Sequence, residues 1–302
     1  MDFPLPFPMS ISTDISEIQD WIDNLLNHSG PDPHEYGDLL ALVSGLKSQD
    51  VPAVRALMMP VLTPETIIGF SFTKPMGYNG DFFIIEKIYQ EYVNPDPKYS
   101  RWDLFFHQLP AARAVVNRKE LAIKVLAELN KRPEYRKDVL VLGSGPAREI
   151  NEYMASTVNN TLWFDLLDLD QRAITYASNR NKAYKDYLTF HHANVIRFNP
   201  SNTYDLIWSA GLFDYFKDKH FVYMIRKYYE YLNPGGMMII GNFSVSNPSR
   251  KIMEVLGDWF LYHRSEEQLL KFSQQAHIPE NNAWIMTEPL GINLFLTITK
   301  DL

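Results

Sequence analysis

Gly143 and Gly145 lie in the stretch Val139-Leu-Val-Leu-Gly-Ser-Gly-Pro-Ala-Arg-Glu149, between a short apolar run and a polar, helix-compatible segment. A strand that ends in small residues and turns straight into a helix leaves backbone N–H groups open to a ligand. Gly143 allows the tight turn and Gly145 a close approach to the backbone, with Ser144 and Pro146 completing the loop. A lone Gly-x-Gly reads equally well as plain turn chemistry. Asp168, about twenty residues further on, stands where an acid accepts hydrogen bonds from ribose hydroxyls. Asn194 and the run Ser209-Ala210-Gly211 close two further apolar segments.

Two other places carry candidate chemistry. In Thr73-Lys-Pro-Met-Gly-Tyr-Asn-Gly-Asp81, Gly77 and Gly80 flank Tyr78 and Asn79. Asp81 suits a helix N-cap, whereas a tyrosine held between flexible residues suits a loop laid over a ligand. Arg118 sits on a long helix beginning near Pro110, with Arg113 and Asn117 sharing one face. It reads either as a surface cation or as a binder of a carboxylate.

The elements that must position these groups follow from periodicity. Residues 1–10 alternate with prolines and read as an extended tail. Ser16–Asn27 is amphipathic, Pro33–Lys47 is a second helix, and Asp50-Val-Pro suggests the N-cap of a third. From Asp138 onward strands and helices alternate, which predicts a doubly wound α/β sheet. Strands are expected at 139–142, 161–167, 188–191, 204–209 and 237–243, the last after an Asn233-Pro-Gly-Gly236 stop signal. The segments 283–287 and 293–299, joined through Pro289-Leu-Gly291, form an antiparallel pair. Asp168, Asn194 and Ser209–Gly211 then fall at carboxyl ends of parallel strands, where such sheets bind ligands. The expected division is a helical cap or lid over 1–115 and a catalytic domain over 116–302.

Composition narrows the partners. A net charge of −7 with no dense Lys/Arg run argues against nucleic acid. The absence of cysteine excludes disulfides, cysteine-ligated metals and cysteine nucleophiles, and no metal is called for. The start of the chain does not read as a secretion signal, and no apolar stretch reaches spanning length. A cytoplasmic protein is expected.

Taken together the strand-end motifs resemble a class I S-adenosylmethionine-dependent methyltransferase, over about residues 116–302. Leu142-Gly-Ser-Gly-Pro-Ala147 resembles its first motif, and Asp168-Leu169-Asp170-Gln171 the acid that holds the ribose. Ala193-Asn194-Val195 resembles the segment beside the adenine. Tyr204-Asp-Leu-Ile-Trp-Ser-Ala-Gly-Leu-Phe-Asp-Tyr215 resembles the motif facing the methionine end, and Leu232-Asn-Pro-Gly-Gly236 the turn before strand five. The resemblance implies a Rossmann-like seven-stranded sheet with its last strand antiparallel, S-adenosyl-L-methionine as cofactor and a small-molecule acceptor. A narrower resemblance rests on Lys74–Asp81, Asn242-Phe243 with Ser246-Asn-Pro248, Asp258-Trp-Phe-Leu-Tyr-His-Arg264 and Gly291-Ile-Asn-Leu-Phe295. These are similar to a bacterial subgroup described by likeness to enzymes of 3-hydroxypalmitic acid methyl ester biosynthesis, which implies carboxyl O-methylation of a hydroxy- or fatty-acid-like acceptor. Other phenol, amine or natural-product acceptors, and a non-catalytic metabolite binder, stay open.

On that resemblance, the faces of Tyr78, Phe213 and Tyr215 are candidates to stabilise the sulfonium. Arg118, Tyr262 and Arg264 are candidates to orient a carboxylate acceptor, and His107, His191, His192 and His263 are the available bases. Apolar residues of the insertion 244–264 line an acceptor pocket, pack on the cap or meet a second copy in a homodimer. A nicotinamide dehydrogenase is the rival, but its fingerprint wants a third glycine where Arg148 stands.

Overall fold

Alternate residues of the apolar run at 139–142 enter two different cores, which is why that strand shows no polar alternation. In the computed structural model, which describes residues 15–134 and 136–302, Val139 and Val141 pack in one layer and Leu140 and Leu142 in the other. The extended tail expected over residues 1–10 lies outside the described residues.

The chain opens with helices α1 (Ile15–Asn27), α2 (Tyr36–Gly45), α3 (Val51–Met58), α4 (Ile67–Thr73), α5 (Phe82–Tyr89), α6 (Pro97–Gln108) and α7 (Pro110–Asn130). Ile18, Ile22 and Leu25 give α1 a buried stripe at helical spacing. The Thr66 hydroxyl accepts the Gly69 N–H to start α4, and Asp81 accepts the N–H groups of Phe83 and Ile84 to start α5. Asp50 occupies the N-cap of α3 in helical backbone conformation and its side chain makes no capping bond.

Then follow β1 (Lys137–Leu142), α8 (Arg148–Ser156), β2 (Leu162–Asp168), α9 (Gln171–Arg180), β3 (Leu188–His192), β4 (Tyr204–Ser209), α10 (Asp218–Tyr229) and β5 (Leu232–Phe243). After α11 (Arg250–Val255) and α12 (Glu266–Gln275), β6 (Ala283–Thr287) and β7 (Asn293–Thr299) close the chain. The seven strands form one sheet in the order β3-β2-β1-β4-β5-β7-β6. β1 to β5 are mutually parallel, and β7 runs antiparallel to both β5 and β6. The chain winds outward from β1 to β3, then resumes at β4 on the other side of β1. The switch point therefore lies between β1 and β4, where such sheets open a crevice at their carboxyl ends.

Asn233-Pro-Gly-Gly236 departs from the expected stop. Leu232 already pairs with Tyr204, and the register shifts before Met237 pairs with Leu206, so the turn residues form an irregularity inside β5. Gly235 takes φ +72°, and a Cβ on Gly236 would come within 2.9 Å of the Tyr204 carbonyl oxygen, so both places need glycine.

The fold divides into two compact units, Met1–Arg113 (described from Ile15) with Pro248–Phe260, and Ala114–Asn247 with Leu261–Leu302. The helical unit is thus completed by an excursion from the sheet unit, in which Ile252, Met253, Val255, Leu256 and Trp259 are buried. No helix among the described residues is long and apolar enough to cross a membrane.

Candidate active site

In the sheet unit, the Gly143–Gly145 loop leaves β1 beside the switch point. Gly143 and Gly145 take φ +69° and +51°, and Ala147, at the N-cap of α8, takes +48°. The left-handed residue after the two glycines is thus Ala147, while Arg148 begins the helix. A Cβ on Gly145 would meet nothing within 4 Å, so the loop faces open space there. The loop N–H groups, expected to await a ligand, are spent internally. Those of Gly143 and Ser144 donate to the Leu167 carbonyl at 2.9 and 3.0 Å, and that of Gly145 donates to Asp168 Oδ2 at 2.8 Å. The Ser144 hydroxyl is buried without a hydrogen-bond partner.

Asp168 ends β2 and is fixed from two sides: Gly145 N–H on Oδ2, and Asp170 N–H on Oδ1 at 2.9 Å. Burial pushes its pKa up, and these two N–H groups pull back toward the charged form. One N–H on each oxygen leaves further acceptor capacity on both, which suits a pair of neighbouring hydroxyls. Leu169 is exposed, and its carbonyl meets His192 Nε2 at 2.9 Å. Asn194 builds its own turn, its side-chain oxygen accepting the Ile196 N–H at 2.9 Å. The Val195 carbonyl accepts the Tyr228 hydroxyl at 2.8 Å.

Across the switch point, Ser209 Oγ donates to the Leu142 carbonyl at 3.0 Å, tying the end of β4 to the end of β1. Ala210 and Gly211 follow, half-buried. A Cβ on Gly211 would fall 2.6 Å from Arg118 Nη1, so the guanidinium packs directly against the Gly211 backbone and would have to shift for any larger residue. Arg118 is 5% exposed and its Nε has no hydrogen-bond partner. Its charge acts on two buried acids, Glu149 in the first turn of α8 and Asp214 after β4. Burial raises Glu149 to about 7 and Asp214 to about 6, with Arg118 pulling both back. Asp214 Oδ1 also accepts the Phe243 N–H at 2.7 Å.

Arg264 is a correction. It is 2% exposed, and its guanidinium donates to Asp218 through Nε and Nη2, to the Phe213 carbonyl and Asn242 Oδ1 through Nη1, and to the Phe216 carbonyl through Nη2. Those five bonds use the five N–H donors of an arginine. It also lies 4.7 Å over the Phe221 ring. A guanidinium so saturated rivets the segments around Asp214, and orienting an acceptor would require breaking them.

Tyr262 is exposed, at 44%, beside that rivet, and Tyr215 ends the short 3-10 turn after β4, half-buried. The histidines hold structural partners: His107 the Tyr92 carbonyl, His191 Asp165, His192 the Leu169 carbonyl and His263 Asn247. In the helical unit Tyr78 is 40% exposed, between left-handed Gly77 and Gly80. Its loop is pinned by Asp258, whose carboxylate pairs with Lys74 and Arg55 and whose carbonyl accepts the Asn79 amide at 2.9 Å.

Glu149, Asp214 and Asp258 escape the sequence reading. An acid in a first helical turn looks like ordinary dipole compensation, and the burial of Asp214 and the ion pairs of Asp258 depend on chain segments far away.

A seven-stranded α/β sheet with a reversed β7, a glycine loop after β1 and an acid after β2 defines the class I methyltransferase fold. Residues 139–236, about a third of the chain, match the family model described as a methyltransferase domain. The chain thus carries a methyltransferase domain on that fold. Among solved structures it is similar to a possible exported protein from Bordetella parapertussis, at 14% identity and TM-score 0.66, covering 96% of this chain and 100% of that one. It is also similar to the CurJ carbon methyltransferase, at 16% identity and TM-score 0.54, covering 94% of this chain and 71% of that one. The N-methyltransferase NodS from Bradyrhizobium japonicum, solved with S-adenosyl-L-homocysteine, matches at 15% identity and TM-score 0.46, covering 72% and 97%. At these identities the first two likenesses show the fold. No curated protein sequence matches the chain.

Proposed function

We propose that this enzyme methylates a small-molecule acceptor, by O-methylation of the carboxyl group of a hydroxy- or fatty-acid-like compound, at the carboxyl edge of β1, β2 and β4. The observation that carries the cofactor assignment is the pairing of Gly145 N–H with Asp168. A dinucleotide site needs free N–H groups after β1 for its pyrophosphate. Here those groups are already bonded, and what remains is an acid for ribose hydroxyls, an unpartnered Ser144 hydroxyl and open space at Gly145. That set fits a nucleoside without phosphates.

When bound, S-adenosylmethionine supplies a methyl group already activated on a sulfonium. Asp168 would hold the ribose, with Gly143, Ser144, Gly145 and Pro146 beneath it. Leu169, Asn194 and Val195 would flank the adenine, and Ser209, Ala210 and Gly211 the opposite end. The remaining work is to align the acceptor and exclude water. A carboxylate is ionised near neutral pH and needs no general base, which agrees with four histidines all tied to structural partners. Tyr215 and Tyr262 are the hydroxyl donors and ring faces assigned to this task.

Calorimetric titration with S-adenosylmethionine and with NAD, followed by product mass after incubation with hydroxy acids, phenols and amines, tests the assignment. Binding of the first ligand alone and a gain of one methyl on a hydroxy acid are expected. Turnover flat across about pH 6 to 8 accompanies a carboxylate acceptor; a rise with an imidazole-like pKa would favour an amine or hydroxyl acceptor instead.

A further inference from the structure

Among the described residues, one group of three metal-ligating side chains converges: His28, Asp32 and Glu35. Their ligand atoms all lie within 4.8 Å of one another. The group belongs to the helical unit. His28 follows the end of α1, Asp32 precedes the 3-10 turn Pro33–Glu35, and Glu35 ends that turn at the start of α2. Between them Ser29 and Gly30 take φ +66° and +122°. A Cβ on Gly30 would lie 2.9 Å from the Arg101 Cβ on α6, so glycine lets this turn seat against that helix.

The three ligands are held from outside. Asp32 N–H donates to Glu35 Oε2 at 2.8 Å. Arg101 Nη1 reaches Asp32 Oδ1 at 3.1 Å and donates to the His28 carbonyl at 3.3 Å. Outer hydrogen bonds of this kind orient metal ligands. His28 Nε2 stands 3.2 Å from Glu35 Oε2, and two donors on one tetrahedral zinc are about 3.4 Å apart. Arg101 offsets one of the two carboxylates, so with His28 neutral one negative charge is left for a cation. All three side chains are only partly buried, which lets an ion reach them. The turn also faces a donor without a partner. Trp102 of α6 is 1% exposed, its Nε1 makes no hydrogen bond, and a Cβ on Gly30 would lie 3.1 Å from it.

We infer that His28, Asp32 and Glu35 bind one divalent ion, zinc, which fastens the end of α1 to the start of α2. One imidazole and two carboxylates suit zinc better than calcium or magnesium, which take oxygen ligands. Three protein ligands leave a position for water, and water there supplies the acceptor that the Trp102 N–H lacks. The competing occupant of Nε2 is a proton, which makes the group a plain His28–Glu35 ion pair. The site is independent of the methyl-donor reading. The sequence alone calls for no metal, because only the turn at Ser29 and Gly30 brings the three ligands together.

Calorimetric titration of the metal-stripped full chain with zinc chloride tests the site, with calcium chloride as the control and thermal unfolding recorded with each ion. One zinc per chain at micromolar affinity is expected, with a raised unfolding midpoint by mass action. Calcium should give neither. His28→Ala and Glu35→Gln should each weaken zinc binding by more than about a hundredfold, beyond the cost of a lost outer partner. His34→Ala, at the exposed neighbouring histidine, should bind zinc as the wild type does. If His28→Ala does not fold, Glu35→Gln carries the test. Equal zinc binding by the wild type and both ligand variants means adventitious surface binding and overturns the site. No zinc binding by the wild type, with a loss of stability in His28→Ala, assigns the ion pair alone and overturns it as well.

Discussion

Asn79 and Asp258, 179 positions apart, are joined by a 2.9 Å hydrogen bond from the asparagine amide to the aspartate carbonyl. With Lys74 and Arg55 on the carboxylate of the same residue, Asp258 fixes both ends of the Tyr78 loop. The left-handed glycines at 77 and 80 would otherwise leave that loop free to rearrange. Asp258→Ala is therefore expected to raise hydrogen exchange across residues 74–81 about tenfold, read by mass spectrometry. Unchanged exchange would remove Asp258 from this role.

Asp168→Asn keeps the side chain's shape but replaces one acceptor oxygen by a donor. Affinity for S-adenosylhomocysteine should fall about ten- to a hundredfold, as expected for hydrogen bonds to a charged acceptor. The thermal transition should move less than in Asp168→Ala, which strands the Gly145 and Asp170 N–H groups. Calorimetry and thermal unfolding on the two variants check both parts.

Arg264→Met is a stability variant. It leaves Asn242 Oδ1 and the carbonyls of Phe213 and Phe216 without their donor. A loss of about 3–5 kcal/mol is expected in denaturant unfolding. A KM effect on the acceptor without loss of stability would return Arg264 to the acceptor site.

Glu149 gives a pH signature. Its pKa is raised from 4.5 to about 7 by burial in the folded state. The folded protein therefore retains a proton that the unfolded chain has lost. The stabilisation is complete below about pH 4.5 and disappears as pH rises through about 7, amounting to at most about 3 kcal/mol. Glu149→Gln removes this slope, so the variant should gain stability relative to the wild type at pH 8 compared with pH 5. Parallel unfolding curves at both pH values would refute it.

Much of the sheet was legible because its signals are local. A buried parallel strand must be apolar on both faces, as Val139–Leu142 is, and the turn chemistry of Gly143 and Gly145 lies in adjacent residues. Asp168 could be placed at a strand end because the apolar run before it leads straight into it. The charges around Arg118 could not. Nothing local distinguishes an arginine on a helix facing solvent from one facing Gly211, since that depends on a segment arriving from β4. Arg264 failed for the same reason in reverse: its five bonds come from residues 213 to 242, and only the folded arrangement shows that no donor is left. Asn233–Gly236 carried a strong local turn signal, yet pairing of Leu232 with Tyr204 carried the strand through it.

The excursion at Pro248–Phe260 also bears on how the chain is made. Synthesis runs from the amino terminus, so α1 to α6 emerge long before the segment whose Ile252, Met253 and Trp259 complete their core. The first unit waits on the ribosome with an apolar seam uncovered until most of the sheet has been translated. Its final closure is thereby timed to the assembly of β1 to β5, and a nascent chain stalled before Pro248 is the form most in need of a chaperone.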